Sequence, residues 1–108
     1  FDLPVVHPNY ITQGCVRGKV EATLEGRAKL KDAIVFIANA DPGFDWIFTC
    51  GIKGFITMFG GANSHMAIRS SELGIPAVIG CGELLFKKWS KYNYLELNCL
   101  QKVVIEIS

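Results

Sequence analysis

Phe55-Ile56-Thr57-Met58-Phe59-Gly60-Gly61-Ala62-Asn63-Ser64-His65-Met66-Ala67-Ile68, followed by Glu72-Leu73-Gly74-Ile75-Pro76-Ala77-Val78-Ile79-Gly80, decides the fold class of this 108-residue chain. Residues 55–59 are rich in aromatic and β-branched side chains and stop at two glycines, the pattern of a buried strand leaving a sheet. Gly60 and Gly61 admit backbone angles and close approaches that a Cβ forbids. Asn63 or Ser64 suits an N-cap, and residues 66–73 hold no glycine or proline, so a helix of about two to three turns is expected to end at Gly74. Ala77-Val78-Ile79 then reads as a second short, buried strand. Strand, glycine turn, helix and strand together point to an α/β domain. His65 falls in the first helical turn, where unpaired backbone N–H groups and the positive end of the helix dipole favour an anion. Arg69 follows one turn later and can face the same anion.

The flanks extend this unit. Residues 14–23 alternate, with Val16, Gly18, Val20 and Ala22 on one face and Arg17, Lys19 and Glu21 on the other, as in a half-buried strand. Residues 25–32 are charged and are expected to form a solvated surface connection. Ala33-Ile34-Val35-Phe36-Ile37-Ala38 is apolar on both faces, which indicates a central strand covered on each side. Asp41-Pro42 reads as a helix entrance, N-cap then first position, leading to a short helix with Trp46, Ile47 and Phe48 packed inward. Beyond Gly80-Cys81-Gly82, residues 83–89 can form a brief helix with Lys87, Lys88 and Lys91 at the surface. Residues 94–99 and 102–107 read as two strands joined around Leu100 and Gln101. Residues 1–10, with Pro4 and Pro8, are expected to be a lead-in segment or linker, His7 being a surface histidine within it. Residues 11–108 are expected to form the domain.

Composition excludes several function classes. Half of the residues are apolar and the formal net charge is +1, so there is no electrostatic case for nucleic acid or an anionic membrane as a partner. No apolar run approaches transmembrane length, and the N-terminus lacks the basic start and unbroken apolar core of a signal peptide, so a soluble, cytoplasmic protein is expected. Cys15, Cys50, Cys81 and Cys99 are scattered, without a C-x-x-C pair or a histidine at zinc-ligand spacing. They are expected to be reduced packing residues, and no metal site is expected. The chain starts at Phe1 rather than Met, so a fragment or a processed product is expected.

The Gly60-Gly61, Ser64-His65 and Gly74-Ile75-Pro76-Ala77-Val78 elements, in this order and spacing, resemble the phosphohistidine motif of the phosphoenolpyruvate-utilizing enzymes, such as phosphoenolpyruvate synthase and pyruvate phosphate dikinase. The resemblance runs from the strand near Gly14 to the last strand near Ile107 and is most specific over residues 51–80. It implies a compact swivelling β/β/α phosphohistidine domain, a mobile part of a larger multidomain enzyme. By the same resemblance, neutral His65 is the catalytic nucleophile, since a free imidazole lone pair is what phosphoryl transfer requires. Gly60, Gly61 and Ser64 shape the loop, Arg69 contacts phosphate, and Thr57 is a hydrogen-bond partner for the imidazole. The family pattern differs at Met58-Phe59, where an acidic or basic pair is frequent, at Ser70-Ser71-Glu72, where Ala-Arg-Glu is frequent, and at Asn98-Cys99, where Asp-Gly is frequent.

What the resemblance implies for function is a phosphohistidine carrier in an ATP-dependent phosphotransferase. The phosphoryl group would pass from ATP on a nucleotide-binding domain of the ATP-grasp type to pyruvate or another small-molecule acceptor on a further domain of the same polypeptide. Mg2+ and ATP would be bound mainly by those other domains. Two alternatives compete: a phosphoenolpyruvate-dependent protein-histidine phosphotransferase of the enzyme I type, and a non-catalytic swivelling interaction module.

Overall fold

The computed structural model describes residues 8–22, 27–39, 41–61 and 64–108, which form one curled, mixed sheet flanked by helices. The strands are β1 (Asn9–Ile11), β2 (Cys15–Glu21), β3 (Ala33–Asn39), β4 (Gly54–Phe59), β5 (Ala77–Ile79), β6 (Tyr94–Asn98) and β7 (Val103–Glu106), with α-helices α1 (His65–Leu73) and α2 (Glu83–Ser90). Two 3-10 helices, Arg27–Leu30 and Pro42–Cys50, precede β3 and β4. The sheet order is β1-β5-β4-β3-β2-β6-β7. Strands β2 to β5 are mutually parallel, and β1, β6 and β7 add antiparallel edges.

The apolar-on-both-faces character of β3 follows from its place in the middle of the sheet. Val35 and Ile37 enter one core with Leu30, Ile47, Phe55, Met66, Ala67 and Ile79, beneath α1 and the 3-10 helices. Ile34 and Phe36 enter the opposite core with Ile56, Val78, Trp89, Leu95 and Leu97, beneath α2. Each strand residue alternates sides, so a strand covered twice has no polar face. Phe48 meets Phe55 edge-on in the first core and Phe36 meets Phe86 edge-on in the second, both at 5.4 Å between ring centroids.

The sheet curls until strands that are distant in its order touch. A Cβ on Gly54 of β4 would lie 2.8 Å from Leu97 Cδ2 of β6, and Cys99 Sγ, just past β6, contacts the Ala77 carbonyl of β5 at 3.5 Å. Gly54 is therefore a packing requirement of the curl.

Two sequence expectations change. Asn9 and Tyr10, read as part of an irregular lead-in, belong to β1, with Tyr10 opposite Val78 of β5. Three residues between Pro8 and the positive-φ Thr12 are too few to show a period, and their partner lies about seventy positions away. Residues 1–7 of that lead-in, His7 included, lie outside the described residues. In the charged connection, Lys29, Lys31 and Asp32 are exposed as expected, but Arg27–Leu30 is a 3-10 turn whose Leu30 is fully buried in the first core, so one residue of the link is an anchor. The short helix after Asp41 stands as expected and is a 3-10 helix: Asp41 caps it by accepting Gly43 N–H at 2.7 Å, Ile47 is buried, and the half-buried Trp46 and Phe48 pack against the same core.

Candidate active site

The site lies where parallel strands β3, β4 and β5 end, the edge at which open α/β sheets present ligand-binding loops. Strand β4 delivers the chain to Gly60, whose φ of 134° suits only glycine. The chain then turns into α1, closed by Ser64 N–H donating to the Gly61 carbonyl at 3.0 Å. Ser64 is the N-cap, in extended conformation, its hydroxyl accepting Ala67 N–H at 3.4 Å; the alternative cap, Asn63, lies outside the described residues. His65 is thus the first helical residue, and Gly74 ends the helix in the left-handed conformation.

Helix α1 buries Met66, Ala67 and Ser70 against the sheet, which turns His65 and Arg69 outward. The side chain of His65 is 44% exposed and that of Arg69 37%, so both are reachable by an incoming group. Asp45, in the first turn of the Pro42–Cys50 helix, meets them both. Its Oδ1 is 3.2 Å from His65 Nε2 and 3.3 Å from Arg69 Nε. Glu72 Oε2 stands 4.0 Å from the far side of the Arg69 guanidinium. Sequence reasoning missed Asp45. The available signal was a second acidic residue in the first turn after Asp41-Pro42, which is weak without knowing that this turn packs beside α1.

Thr57 is placed differently from its expected contact with the imidazole. Its fully buried hydroxyl accepts Gly80 N–H at 3.0 Å, and its carbonyl accepts Cys81 N–H at 3.0 Å. Gly80 adopts φ 75°, and a Cβ there would collide with the Gly60 carbonyl oxygen. The loop after β5 is therefore pressed against the loop that carries His65, and Thr57 satisfies the amide this packing buries. Gly61 behaves otherwise: among the described residues a Cβ would meet nothing within 4 Å, so no contact with them demands glycine there. Cys81, next to this junction, is buried, and burial pushes its thiol up to about 12; Cys99 is likewise pushed up to about 11. Both are packing thiols with negligible thiolate at neutral pH.

Chemically, the site offers a reachable imidazole, a guanidinium one turn away and the N-terminal end of a helix, a set that suits a transient anion on the ring. Both carboxylates, Asp45 and Glu72, stand beside the Arg69 guanidinium, and no group of three or more His, Cys, Asp or Glu is placed to share a metal ion among the described residues. No described helix is long and apolar enough to cross a membrane.

Comparison with known proteins agrees with this geometry. Residues 29–102 match the profile of the PEP-utilising enzyme, mobile domain family. Among curated proteins, rifampicin phosphotransferase of Bacillus cereus is 36% identical over 72 residues, 65% of this chain and 8% of that protein. Rifampicin phosphotransferase of Bacillus subtilis is 32% identical over the same shares. Phosphoenolpyruvate synthase of Aeropyrum pernix is 39% identical over 70 residues, 62% of this chain and 8% of that protein. The match to each relative thus spans about a twelfth of that relative's length, so each contains other regions in the same polypeptide. With its profile match, its α/β fold and a histidine at the head of α1, the chain belongs to the mobile-domain family of PEP-utilising enzymes.

Proposed function

We propose that this chain is the phosphohistidine carrier of an ATP-dependent phosphotransferase, with His65 as the nucleophile. The observation that carries the reading is the half-exposed imidazole at the first position of α1 with Arg69 one turn behind it. The ring is 44% exposed and its hydrogen-bond contact is to the half-exposed Asp45, which water or an incoming group can replace, so phosphorus can reach it. The names of the relatives, two rifampicin phosphotransferases and a phosphoenolpyruvate synthase, support a phosphoryl-transfer role. In the proposed cycle His65 takes the β-phosphoryl of ATP held with Mg2+ on a separate ATP-grasp domain, and AMP and phosphate leave over the whole cycle. The domain then swings to a further domain, where pyruvate or another small molecule accepts the group. Dividing the transfer lets each half-reaction proceed in its own water-excluding site. Metal and nucleotide chemistry belongs to the partner domains, in keeping with the acidic residues here being engaged by His65 and Arg69.

The test is intact-mass and phosphopeptide analysis, under alkaline conditions that preserve phosphohistidine, of the parent protein incubated with Mg2+ and ATP beside its His65→Ala variant. One acid-labile phosphate on the His65 peptide, absent from the variant and chased off by a small-molecule acceptor, is the expected result. Label from phosphoenolpyruvate but not ATP would reverse the direction of transfer, and no label from either would reduce the domain to an interaction module.

A further inference from the structure

One oxygen dominates the surroundings of His65. Asp45 Oδ1 lies 3.2 Å from Nε2 and 3.3 Å from Arg69 Nε. A carboxylate oxygen only accepts, so in this contact the hydrogen of a neutral ring is on Nε2 and the lone pair on Nδ1. Nε2 is the ring nitrogen that faces Arg69 through this shared oxygen, so a phosphoryl group held by Arg69 would sit on it. Attack through Nε2 needs the reverse tautomer: a bare Nε2 with phosphorus at a near-attack separation of about 3–3.5 Å. Oδ1 fills that space. The same oxygen also compensates Arg69, the guanidinium a phosphoryl group on the ring would use.

We infer that Asp45 is a placeholder for the phosphoryl group. In the unloaded chain it occupies the phosphoryl position and holds the ring as the Nε2–H tautomer. On loading it is displaced, and Arg69 changes partner from the carboxylate to a phosphoryl oxygen. This inference rests on the carrier reading, since it presupposes a phosphoryl group arriving at His65.

The contact is suited to being broken. Asp45 is 40% exposed and His65 44%, so water can replace each partner, and such pairs are weak. A phosphoryl dianion competes with a single carboxylate for Arg69 through more charge and more acceptor oxygens. The step balances as follows. Asp45 leaves, and the ring hydrogen moves through solvent from Nε2 to Nδ1. The Nε2 lone pair then forms the N–P bond while the P–O bond to the donor breaks, its electron pair leaving on the donor oxygen. The Nδ1 hydrogen of the resulting cationic ring is shed to solvent. A bare, unoccupied Nε2 beside a free guanidinium would invite adventitious modification between visits to the donor, and the placeholder prevents this.

The experiment uses the full chain with 15N-labelled histidine and no donor. Long-range 1H–15N correlation spectra give the tautomer, and a His7→Gln version assigns the second histidine. His65 is expected to favour Nε2–H more strongly than free histidine does, and Asp45→Ala is expected to reduce that ratio about fivefold, the scale of an exposed pair. A ratio no greater than that of free histidine in the unsubstituted chain overturns the proposal, as does an unchanged ratio in a folded Asp45→Ala chain. Potassium phosphoramidate then probes access to the ring: labelling of His65 is expected to run about fivefold faster in Asp45→Ala. Should that variant not fold, Asp45→Ser serves, since its shorter side chain withdraws the acceptor from Nε2; a labelling rate at or below that of the unsubstituted chain overturns the proposal in either variant. Neither measurement needs ATP or a partner domain, so failure here is distinguishable from failure of the carrier reading.

Discussion

Replacing Gly80 by alanine tests whether the junction of two loops holds the site together. Gly80 sits at φ 75°, and its added Cβ would collide with the Gly60 carbonyl oxygen, with the Gly60 carbonyl carbon 3.5 Å away. The left-handed conformation costs a non-glycine residue about 1–2 kcal/mol. Relieving a backbone collision in a packed region costs about 1–3 kcal/mol more. The sum, roughly 2–5 kcal/mol, is a large fraction of the stability of a domain this size. At about 4–8 °C per kcal/mol, even the lower figure moves the thermal midpoint down by roughly 10 °C. The assay is thermal and urea unfolding of Gly80→Ala beside Gly61→Ala. The second variant is the control, since among the described residues nothing lies within 4 Å of its new Cβ, and its midpoint is expected to stay within about 0.5 kcal/mol of the parent value. A Gly80→Ala chain as stable as Gly61→Ala would refute the claim that the two loops are packed backbone to backbone. If Gly61 instead serves close approach of phosphate, Gly61→Ala loses labelling while keeping its stability, which separates a packing glycine from a ligand-facing one.

Three further outcomes follow from buried groups. Thr57→Val keeps shape but leaves the Gly80 N–H without its acceptor, so a loss of about 1–3 kcal/mol in urea unfolding is expected. A neutral result would mean that the amide finds water. Burial raises the thiols of Cys81 and Cys99 to about 12 and about 11 from the ordinary 9.0. The unfolded chain therefore releases these protons first, so their contribution to stability is fully present below about pH 9 and is lost as pH rises through the folded values. Unfolding midpoints measured from pH 7 to 11 should be flat and then fall. Iodoacetamide should label the exposed Cys15 of the folded chain well before Cys81 or Cys99, and early labelling of Cys81 would contradict its burial.

The sequence by itself determined the strand, glycine turn, capped helix and strand of residues 55–80, the double-sided burial of β3, and the position of His65 at the head of α1. These are local matters: periodicity records which sides of an element meet water, and caps and left-handed glycines act within a turn of where they stand. Its motif spacing also pointed to the family that residues 29–102 match. Only the tertiary structure decided what touches the histidine. Asp45 reaches Nε2 across twenty residues because the Pro42–Cys50 helix and α1 pack on the same face of the sheet. Thr57 is occupied by Gly80, across twenty-three residues, because the β5 loop folds back over β4. Strand β1 exists because β5 offers it an edge, and Gly54 is needed because the sheet curls Leu97 onto it. Each of these contacts depends on register and curvature summed over several strands, and no local pattern of residue types encodes such a sum.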